Sequence, residues 1–198
     1  IYKMKIIVTE RQLNKILLYE SKEEQEEVEF KKPTFVGLDK IEYNNNDGKH
    51  ELLITFSVKN NSRLNLKIKD YNIGVSINDN KLGITKMNKE TIILKKKSVT
   101  KMTLPLEINV SSKNITKLVV DYLKNPKKSN TVNLKGNLIG GIFIFKKNID
   151  IDKTYNFKMG DVKNIKKLID VVDLGPVNKY KGEIKQGINK IGKIFKGF

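Results

Sequence analysis

The sequence predicts a mainly β protein organised around one all-β domain over residues 34–157. Apolar and polar residues alternate in three runs, as they do in half-buried strands. These runs are Leu52–Val58, Ile73–Ile77 and Met102–Val110. Turn-forming residues lie beside two of them, at Asn44–Gly48 and Asn78–Asn80. We therefore expect antiparallel strands joined by short turns.

Local signals predict the remaining elements of the domain. Phe35–Tyr43 is expected to form the first strand, because a strong turn signal follows it. Ser111 or Ser112 can cap a helix that Asn125 and Pro126 end. The apolar residues of this helix share one face: Ile115, Leu118, Val119, Tyr122 and Leu123. The last two strands are predicted within Val132–Phe145, hinged at Gly140 and Gly141, and the run continues to about Phe157.

Three stretches of the domain occur in a characteristic order. They are VKNN at 58–61, IKDYNIGVSIND at 68–79 followed by KLG, and TLPLEINV at 103–110. This order resembles the late embryogenesis abundant type 2 family, the family of water-stress and hypersensitive-response domains. The family usually has Asn-Pro-Asn where this chain has Asn60, Asn61 and Ser62, so the corner lacks the fixed φ of proline. The resemblance implies a seven-stranded, immunoglobulin-like antiparallel β-sandwich with one helix and no established enzymatic chemistry.

The composition is strongly basic. The net charge is +17 and the isoelectric point about 9.8, and almost all of the positive charge is lysine. Lysine is a hydrated point charge that binds anionic surfaces without forked geometry. The absence of Cys excludes a disulfide framework, a thiolate zinc site and a cysteine nucleophile. No apolar run approaches the ~18 residues of a membrane span, and no signal peptide is evident.

A short docking helix is predicted within residues 1–21. A capping box formed by Thr9 and Gln12 begins it. Its apolar stripe, the predicted contact with a partner or with the sandwich, consists of Leu13, Ile16 and Leu17. The stretch Ile6–Ser21, IIVTERQLNKILLYES, resembles a short module found on many proteins of tailed bacteriophages, especially those infecting Bacteroidetes. An ordinary docking helix is the alternative interpretation.

An acidic block separates this helix from the basic domain. Glu20–Glu29 contains six Glu and one Lys, and no apolar stripe continues through it. For that reason we expect a solvated linker over residues 22–33. Pro33, which disfavours helix at Lys32, marks its boundary with the domain. Two alternatives remain open. The block extends the helix, or it forms an acidic strip that shields the lysines of the domain from premature binding.

A basic helical tail is predicted over residues 158–198. Asp161 is expected to cap a first helix, which Gly175 and Pro176 break. One face of that helix carries Val162, Ile165, Leu168, Ile169 and Val172. The segment Val177–Phe198 has net charge +5, from six Lys and Glu183. Its recurring glycines make it unstable as an isolated helix, so we expect it to become helical against a partner.

Two kinds of partner compete for this last segment. A protein groove would contact its apolar stripe, which consists of Ile184, Ile188, Ile191 and Phe195. An anionic surface, either lipid or nucleic acid, would contact its lysines, among them Lys185, Lys190, Lys193 and Lys196. The protein groove is the favoured interpretation, because the apolar residues recur at helical spacing through the whole segment.

The sequence does not favour a catalytic or metal site. The glycines of Gly136–Gly141 open a strand and not a helix, so a nucleotide loop is not expected. A nucleophile among Ser57, Ser62 and Ser76 would depend on the only histidine, His50, which is interpreted as an exposed turn residue. Metal binding by Asp150 and Asp152 is the minor alternative to a solvated sheet face.

The lysine runs and the tyrosines favour nonspecific over sequence-specific contacts. Lys95–Lys97 and Lys127–Lys128 lie at predicted turns or strand ends, where charge is usually just solvated. The tyrosines are scattered and form no aromatic platform with the lysines: Tyr43, Tyr71, Tyr122 and Tyr155. Attraction to phosphate needs only charge and remains open.

We therefore predict a non-enzymatic structural or interaction protein that binds other proteins of a larger assembly. It is expected to use no cofactor, no metal and no small-molecule substrate. The predicted assembly is a tailed-bacteriophage virion, and the predicted location is that particle or the cytoplasm of the host bacterium. The alternatives are a peripheral protein of a membrane or envelope surface and a basic protein associated nonspecifically with nucleic acid.

Overall fold

The computed structural model describes residues 30–86, 91–142, 145–180 and 182. The chain divides into two units after Phe30, and the fold described here belongs to the unit that begins at Lys31. Its strands are β1 (Thr34–Asn46), β2 (Lys49–Lys59), β3 (Leu66–Ile77), β4 (Asn80–Lys86), β5 (Ile92–Leu94), β6 (Val99–Glu107), β7 (Ser129–Ile142) and β8 (Phe145–Lys158). Helix α1 (Lys113–Lys124) joins β6 to β7, and helix α2 (Ile165–Val171) follows β8.

The strands form two antiparallel sheets. Sheet A has the order β1-β2-β6, and sheet B has the order β4-β3-β7-β8. The short strand β5 also pairs with β3, on the edge that β4 occupies further along. Strands β3, β6 and β8 therefore bring their first residues to the same end of the fold, and β2 ends there. The mainly β prediction is confirmed, with eight strands in the described residues where the family resemblance implied seven.

Alternate side chains of both sheets form the core between them. The ring of Phe56 in sheet A lies 5.5 Å from the ring of Tyr155 in sheet B. The predicted alternation in β2 is confirmed, because its inward residues are all 2% exposed or less: Leu52, Ile54, Phe56 and Val58. Burying each such side chain contributes roughly 1.5–3 kcal/mol. None of the helices in the described part of the chain is long and apolar enough to cross a membrane.

The predicted turns and the first helix are confirmed. Asp47 and Gly48 both have positive φ (49° and 84°) and join β1 to β2. Asn78 and Asp79 likewise have positive φ and join β3 to β4. The Ser112 side chain accepts a hydrogen bond from the Ile115 backbone and caps α1, whose five buried residues are the predicted apolar face.

The predicted hinge at Gly140 and Gly141 is wrong. Both glycines lie inside β7, which runs unbroken to Ile142, and the last strand β8 begins only at Phe145. Gly140 serves close packing, because a Cβ there would lie 3.2 Å from a methyl group of Ile68 and 3.2 Å from one of Ile149. A glycine in a strand often marks such an approach and not a turn.

Two further predictions, the helix cap at Asp161 and the exposure of His50, are also wrong. Asp161 does not cap the helix. It lies in a 3-10 turn, and Asn164, in the left-handed conformation, precedes α2. The predicted apolar face of this helix is nevertheless buried. His50 is half-buried and not a plain exposed turn residue, because its Nδ1 lies 2.6 Å from the hydroxyl oxygen of the fully buried Tyr43.

The segment before α2 is attached to the edge of sheet A. The backbone N–H of Lys163 donates to the Ile41 carbonyl at 2.9 Å, and the Lys163 carbonyl accepts from the Tyr43 N–H at 3.0 Å. The carboxylate of Glu42 forms ion pairs with the ammonium groups of Lys163 and Lys40, with an N–O distance of 2.8 Å in each. These contacts, with that of Lys163 first, lower the pKa of Glu42 to about 2.

Replacing Glu42 by Gln is expected to lower the thermal unfolding temperature at neutral pH, because both ion pairs are lost. The folded pKa of about 2 lies below the ordinary value of 4.5. The stabilisation is therefore fully present above the ordinary pKa and is lost as the pH falls through the folded one. Thermal melts followed by circular dichroism should show the wild-type and variant curves converging over that window.

Glu107 provides the control for this experiment, because it is exposed and takes no part in the two ion pairs of Glu42. Glu107→Gln is expected to leave the wild-type pH dependence nearly unchanged. A Glu42→Gln protein that melts like the wild type at neutral pH would contradict the role of this contact.

Candidate anion-binding surface

One buried side chain, Asn60, organises the loop between β2 and β3. Its Nδ2 donates to the carbonyls of Leu64 (2.8 Å) and Leu94 (2.9 Å), and its Oδ1 accepts from the Ser62 N–H (2.9 Å). Its own N–H donates to the Ser98 carbonyl at 3.0 Å. The residue is 0% exposed, and these hydrogen bonds supply its side-chain amide with the partners that water cannot provide. Asn60 thereby joins its loop to the end of β5 and the start of β6.

The next two residues hold the segment that enters β1. The Ser62 hydroxyl accepts from the Lys31 N–H at 3.0 Å and donates to the Lys31 carbonyl at 3.1 Å. The Asn61 amide donates to the Lys32 carbonyl (2.9 Å) and to the Thr34 hydroxyl (2.8 Å). Side-chain hydrogen bonds therefore hold the corner at which the family usually has a proline.

The same loop also fixes the turn between β5 and β6. The N–H of Lys96 donates to the side-chain oxygen of Asn65 at 2.8 Å, and the N–H of Lys97 donates to the Ser62 carbonyl at 3.3 Å. Lys97 has a positive φ of 52°, which a non-glycine residue rarely adopts. The lysines of this turn are therefore held by their backbone beside the β2–β3 loop.

The start of β8 adds a fourth group of cations. Strand pairing aligns Lys67 of β3, Gly141 of β7 and Lys146 of β8 in one row of sheet B. Gly141 places no side chain between the two lysines, whose backbones are about 10 Å apart at two strand spacings. Lys147 follows directly and is exposed as well.

Every charged residue in these four segments is a cation. The segments are 31–34, 59–69, 91–101 and 145–147. We call this surface the basic end, and all its charged side chains are exposed: Lys31, Lys32, Lys59, Arg63, Lys67, Lys69, Lys95, Lys96, Lys97, Lys101, Lys146 and Lys147. Two carboxylates adjoin the basic end: Asp39 accepts the Ser57 hydroxyl at 2.8 and 3.0 Å, and the exposed Asp70, directly after Lys69, accepts the Tyr71 N–H at 2.8 Å. A concentration of one sign of charge creates a potential that attracts anions.

The other end of the sandwich differs. Helix α1 lies there, and its Asn114 donates to the Lys81 carbonyl just beyond the β3–β4 turn. Lys127 and Lys128 are exposed at that end, after the helix. Acidic residues such as Asp121 share it. The two lysine runs that look equivalent in the sequence therefore have different surroundings.

The predicted docking residues lie outside the described residues. This applies to the apolar residues of both terminal segments: Leu13, Ile16, Leu17, Ile184, Ile188, Ile191 and Phe195. It applies equally to the tail lysines: Lys185, Lys190, Lys193 and Lys196. Their roles, and the division of the chain into segments 1–21, 22–33, 34–157 and 158–198, stay predictions.

Asp150 and Asp152 lie on the exposed outer face of sheet B, as expected. They line a shallow depression of about 590 Å³, and the Asp152 carboxylate is 4.0 Å from the Lys135 ammonium. Within residues 30–86, 91–142 and 145–180, no group of three or more His, Cys, Asp or Glu side chains is placed to hold a metal ion.

The structure does not assemble a triad from the candidate serines. The Ser57 hydroxyl bonds to Asp39, whereas His50 contacts Tyr43. Ser62 is 1% exposed and engaged with the backbone of Lys31. These hydrogen bonds give Ser57, Ser62 and His50 structural roles, and Ser76 lies in β3, where it pairs with Lys81 and Asn133.

Sequence reasoning missed the convergence of the four cationic segments. The local pattern predicts only solvated turn charge at Lys95–Lys97 and only a corner at Asn60. One signal was present, because the segments 59–69 and 91–101 contain Lys and Arg but no Asp or Glu. That these segments meet depends on long-range bonds to Asn60 and Ser62, which no local pattern encodes.

The fold places the chain among small antiparallel β-sandwich domains. A family model described as "Late embryogenesis abundant protein" matches residues 55–155, from within β2 to within β8, about half of the chain. The chain therefore belongs to the late embryogenesis abundant type 2 family, as its sequence predicted, and this family is non-enzymatic.

Solved structures of low sequence identity are also similar. A protein from Archaeoglobus fulgidus is 17% identical with a TM-score of 0.39, and the match covers 62% of this chain and 97% of that one. A protein from Arabidopsis thaliana is 15% identical with a TM-score of 0.46, covering 72% and 95% respectively. No curated protein matches the chain in sequence.

Replacing Asn60 by Ala is expected to destabilise the fold by about 3 kcal/mol, because the buried Leu94 carbonyl, the half-buried Leu64 carbonyl and the buried Ser62 N–H lose their partners. Chemical denaturation gives the free energy of unfolding directly. Asn65→Ala is the control, since it removes a single exposed hydrogen bond to the Lys96 N–H and is expected to cost under about 1 kcal/mol. Equal losses in the two variants would contradict the central role of Asn60.

Proposed function

We propose that this protein is a non-enzymatic interaction protein that docks onto a larger assembly, with the basic end as one of its contact surfaces. The observation that carries the proposal is the convergence of four chain segments, all of whose charged residues are cationic, on one end of the sandwich. Membership of a non-enzymatic family supports it. The partners of that end are then surfaces of negative charge.

The two terminal segments provide further docking elements in this proposal. The stripe Leu13, Ile16 and Leu17 binds a protein of the assembly, and so does the tail stripe Ile184, Ile188, Ile191 and Phe195. The tail lysines Lys185, Lys190, Lys193 and Lys196 add attraction to an anionic surface. The support for these roles is the helical spacing of the apolar residues in the sequence.

We further propose that the assembly is the particle of a tailed bacteriophage. The support is the resemblance of Ile6–Ser21 to the short module of bacteriophage proteins. Mass spectrometry of purified particles tests this proposal, because a component is recovered in constant ratio to the capsid protein. Recovery only from the soluble fraction of infected cells would contradict it.

The double variant Leu13→Asp/Leu17→Asp is expected to prevent incorporation into the assembly, because it places two charges on the predicted contact stripe. Its unfolding transition should remain that of the wild type. The matched control is Arg11→Gln/Lys15→Gln, which also lowers the net charge by two but lies on the opposite face of the predicted helix. Equal incorporation of both double variants would contradict the docking role.

The basic end is tested separately with heparin, a generic sulfated polyanion. The triple variant Lys95→Gln/Lys96→Gln/Lys97→Gln is expected to elute from a heparin column at distinctly lower salt, because fewer counterions are released on binding. The control is Lys117→Gln/Lys127→Gln/Lys128→Gln, which removes the same charge at the other end. Equal elution of both triple variants would contradict a role of the basic end as a contact surface.

A further inference from the structure

We infer that the basic end binds the surface of an anionic lipid bilayer. This inference rests on the proposed function, because it names the partner of the same surface. The lysines alone do not distinguish lipid headgroups from nucleic acid, since both present phosphate. The distinguishing observation is a set of exposed aliphatic side chains among the lysines.

Three large apolar side chains are exposed at or beside the basic end. Val36, Ile93 and Val99 are 57%, 49% and 53% exposed. They are three of the five large apolar side chains that the described residues expose. An exposed apolar side chain is ordinary when it stands alone, but a group on one functional surface marks an interaction site.

Strand pairing places these aliphatic residues beside cations. Val99 begins β6 and pairs with Lys59, and Ile93 in the middle of β5 pairs with Lys67. Val36 lies two residues beyond Thr34, which also pairs with Lys59, so it is about 7 Å further along the strand direction. Val36 and Val99 therefore lie near Lys59 on the outer face of sheet A, and Ile93 lies beside Lys67 on the outer face of sheet B. Both outer faces carry exposed apolar and cationic side chains where they meet the basic end.

A bilayer surface matches this mixture. Aliphatic side chains gain by entering the boundary between headgroups and acyl chains, which lies about 5–10 Å deep. Lysines remain at the headgroups, where each one strengthens binding to an anionic leaflet about fivefold. A phosphodiester backbone attracts the lysines equally but offers the aliphatic residues no hydrocarbon to enter.

Three tyrosines of the described residues lie where they cannot stack on the bases of a nucleic acid. Tyr43, Tyr71 and Tyr122 are at most 4% exposed, so their rings are packed inside the fold. Binding of single strands depends on exposed aromatic rings on which bases stack. The surface also carries Arg63 as its one arginine among eleven lysines, and lysine lacks the planar fork that makes arginine the preferred residue for nucleic-acid recognition.

The hydrogen bonds of Asn60, Ser62 and Asn65 determine how the protein contacts the bilayer. They hold the backbone of three loops in one arrangement, so the cations are presented without a further ordering step. Because these loops lie at the end of the strands, the sandwich stands on the membrane with its strands steeply inclined to the surface.

The test is co-sedimentation of the full-length protein with vesicles of phosphatidylcholine mixed with phosphatidylglycerol, and with phosphatidylcholine alone. The wild type is expected to bind only the anionic vesicles. Lys95→Gln/Lys96→Gln/Lys97→Gln should weaken that binding about 100-fold, at about fivefold for each lysine. The control Lys117→Gln/Lys127→Gln/Lys128→Gln should weaken it far less, because those lysines lie at the other end.

A second pair of variants separates lipid from nucleic acid. Ile93→Ser/Val99→Ser retains every charge and is expected to weaken vesicle binding at least about tenfold, because two aliphatic side chains no longer enter the bilayer. Its retention on heparin and its affinity for duplex DNA should equal those of the wild type. Unchanged thermal melting confirms that these exposed substitutions leave the fold intact.

Three results would overturn the inference. One is equal vesicle binding by the two lysine triple variants. Another is an effect of Lys185→Gln/Lys193→Gln without any effect of the basic-end variant, which would assign the membrane contact to the tail. The third is tight binding to duplex DNA without binding to anionic vesicles, which would make nucleic acid the partner. In that third case the heparin result still holds, so the proposed contact surface would survive while its lipid partner would not.

Discussion

The end of the sandwich that carries the cations depends on the buried amide of Asn60. Its two donors and one acceptor reach the β2–β3 loop and the end of β5, and its backbone reaches Ser98 before β6. Ser62 then extends the network to Lys31 at the entry to β1. Three chain segments whose cationic side chains repel each other are thus held together by hydrogen bonds between neutral groups, and pairing with β7 aligns the fourth, at the start of β8. The family usually stiffens this corner with a proline, and this chain achieves the same constraint with side-chain bonds.

Membership of the family tells us the architecture of this protein, but it says much less about its biochemical role. The core formed by alternate side chains of the strands, and the capped helix α1, belong to the architecture. Such features do not depend on what the domain binds. The features that support the proposed partner lie outside the core: the cations of the basic end and the aliphatic residues Val36, Ile93 and Val99. They lie on loops and strand ends, where substitution does not disturb the core.

The sequence predicted the elements whose signals are local. Asp47 and Gly48 predict a turn, and Ser112 predicts the start of a helix, because these conformations depend only on residues nearby in the chain. The failures concern residues whose conformation is decided by distant contacts. The sequence suggests a hinge at Gly140, but the glycine is needed there because Ile68 and Ile149 occupy the space that a side chain would fill. His50 looks exposed because Tyr43, across the hairpin, is not evident as its hydrogen-bond partner. The basic end belongs with these failures, since its segments are far apart in the chain.

The basic end also implies a conflict between stability and binding. Lys95–Lys97 form one turn, and Lys59, Arg63 and Lys67 lie on the adjacent strands and loop, so folding brings together cations that are further apart in the unfolded chain. Their mutual repulsion opposes the folded state. A random substitution that removes one of these charges therefore relieves the repulsion, while it weakens the attraction to an anionic partner. An anionic partner that neutralises the charge would remove this stability penalty.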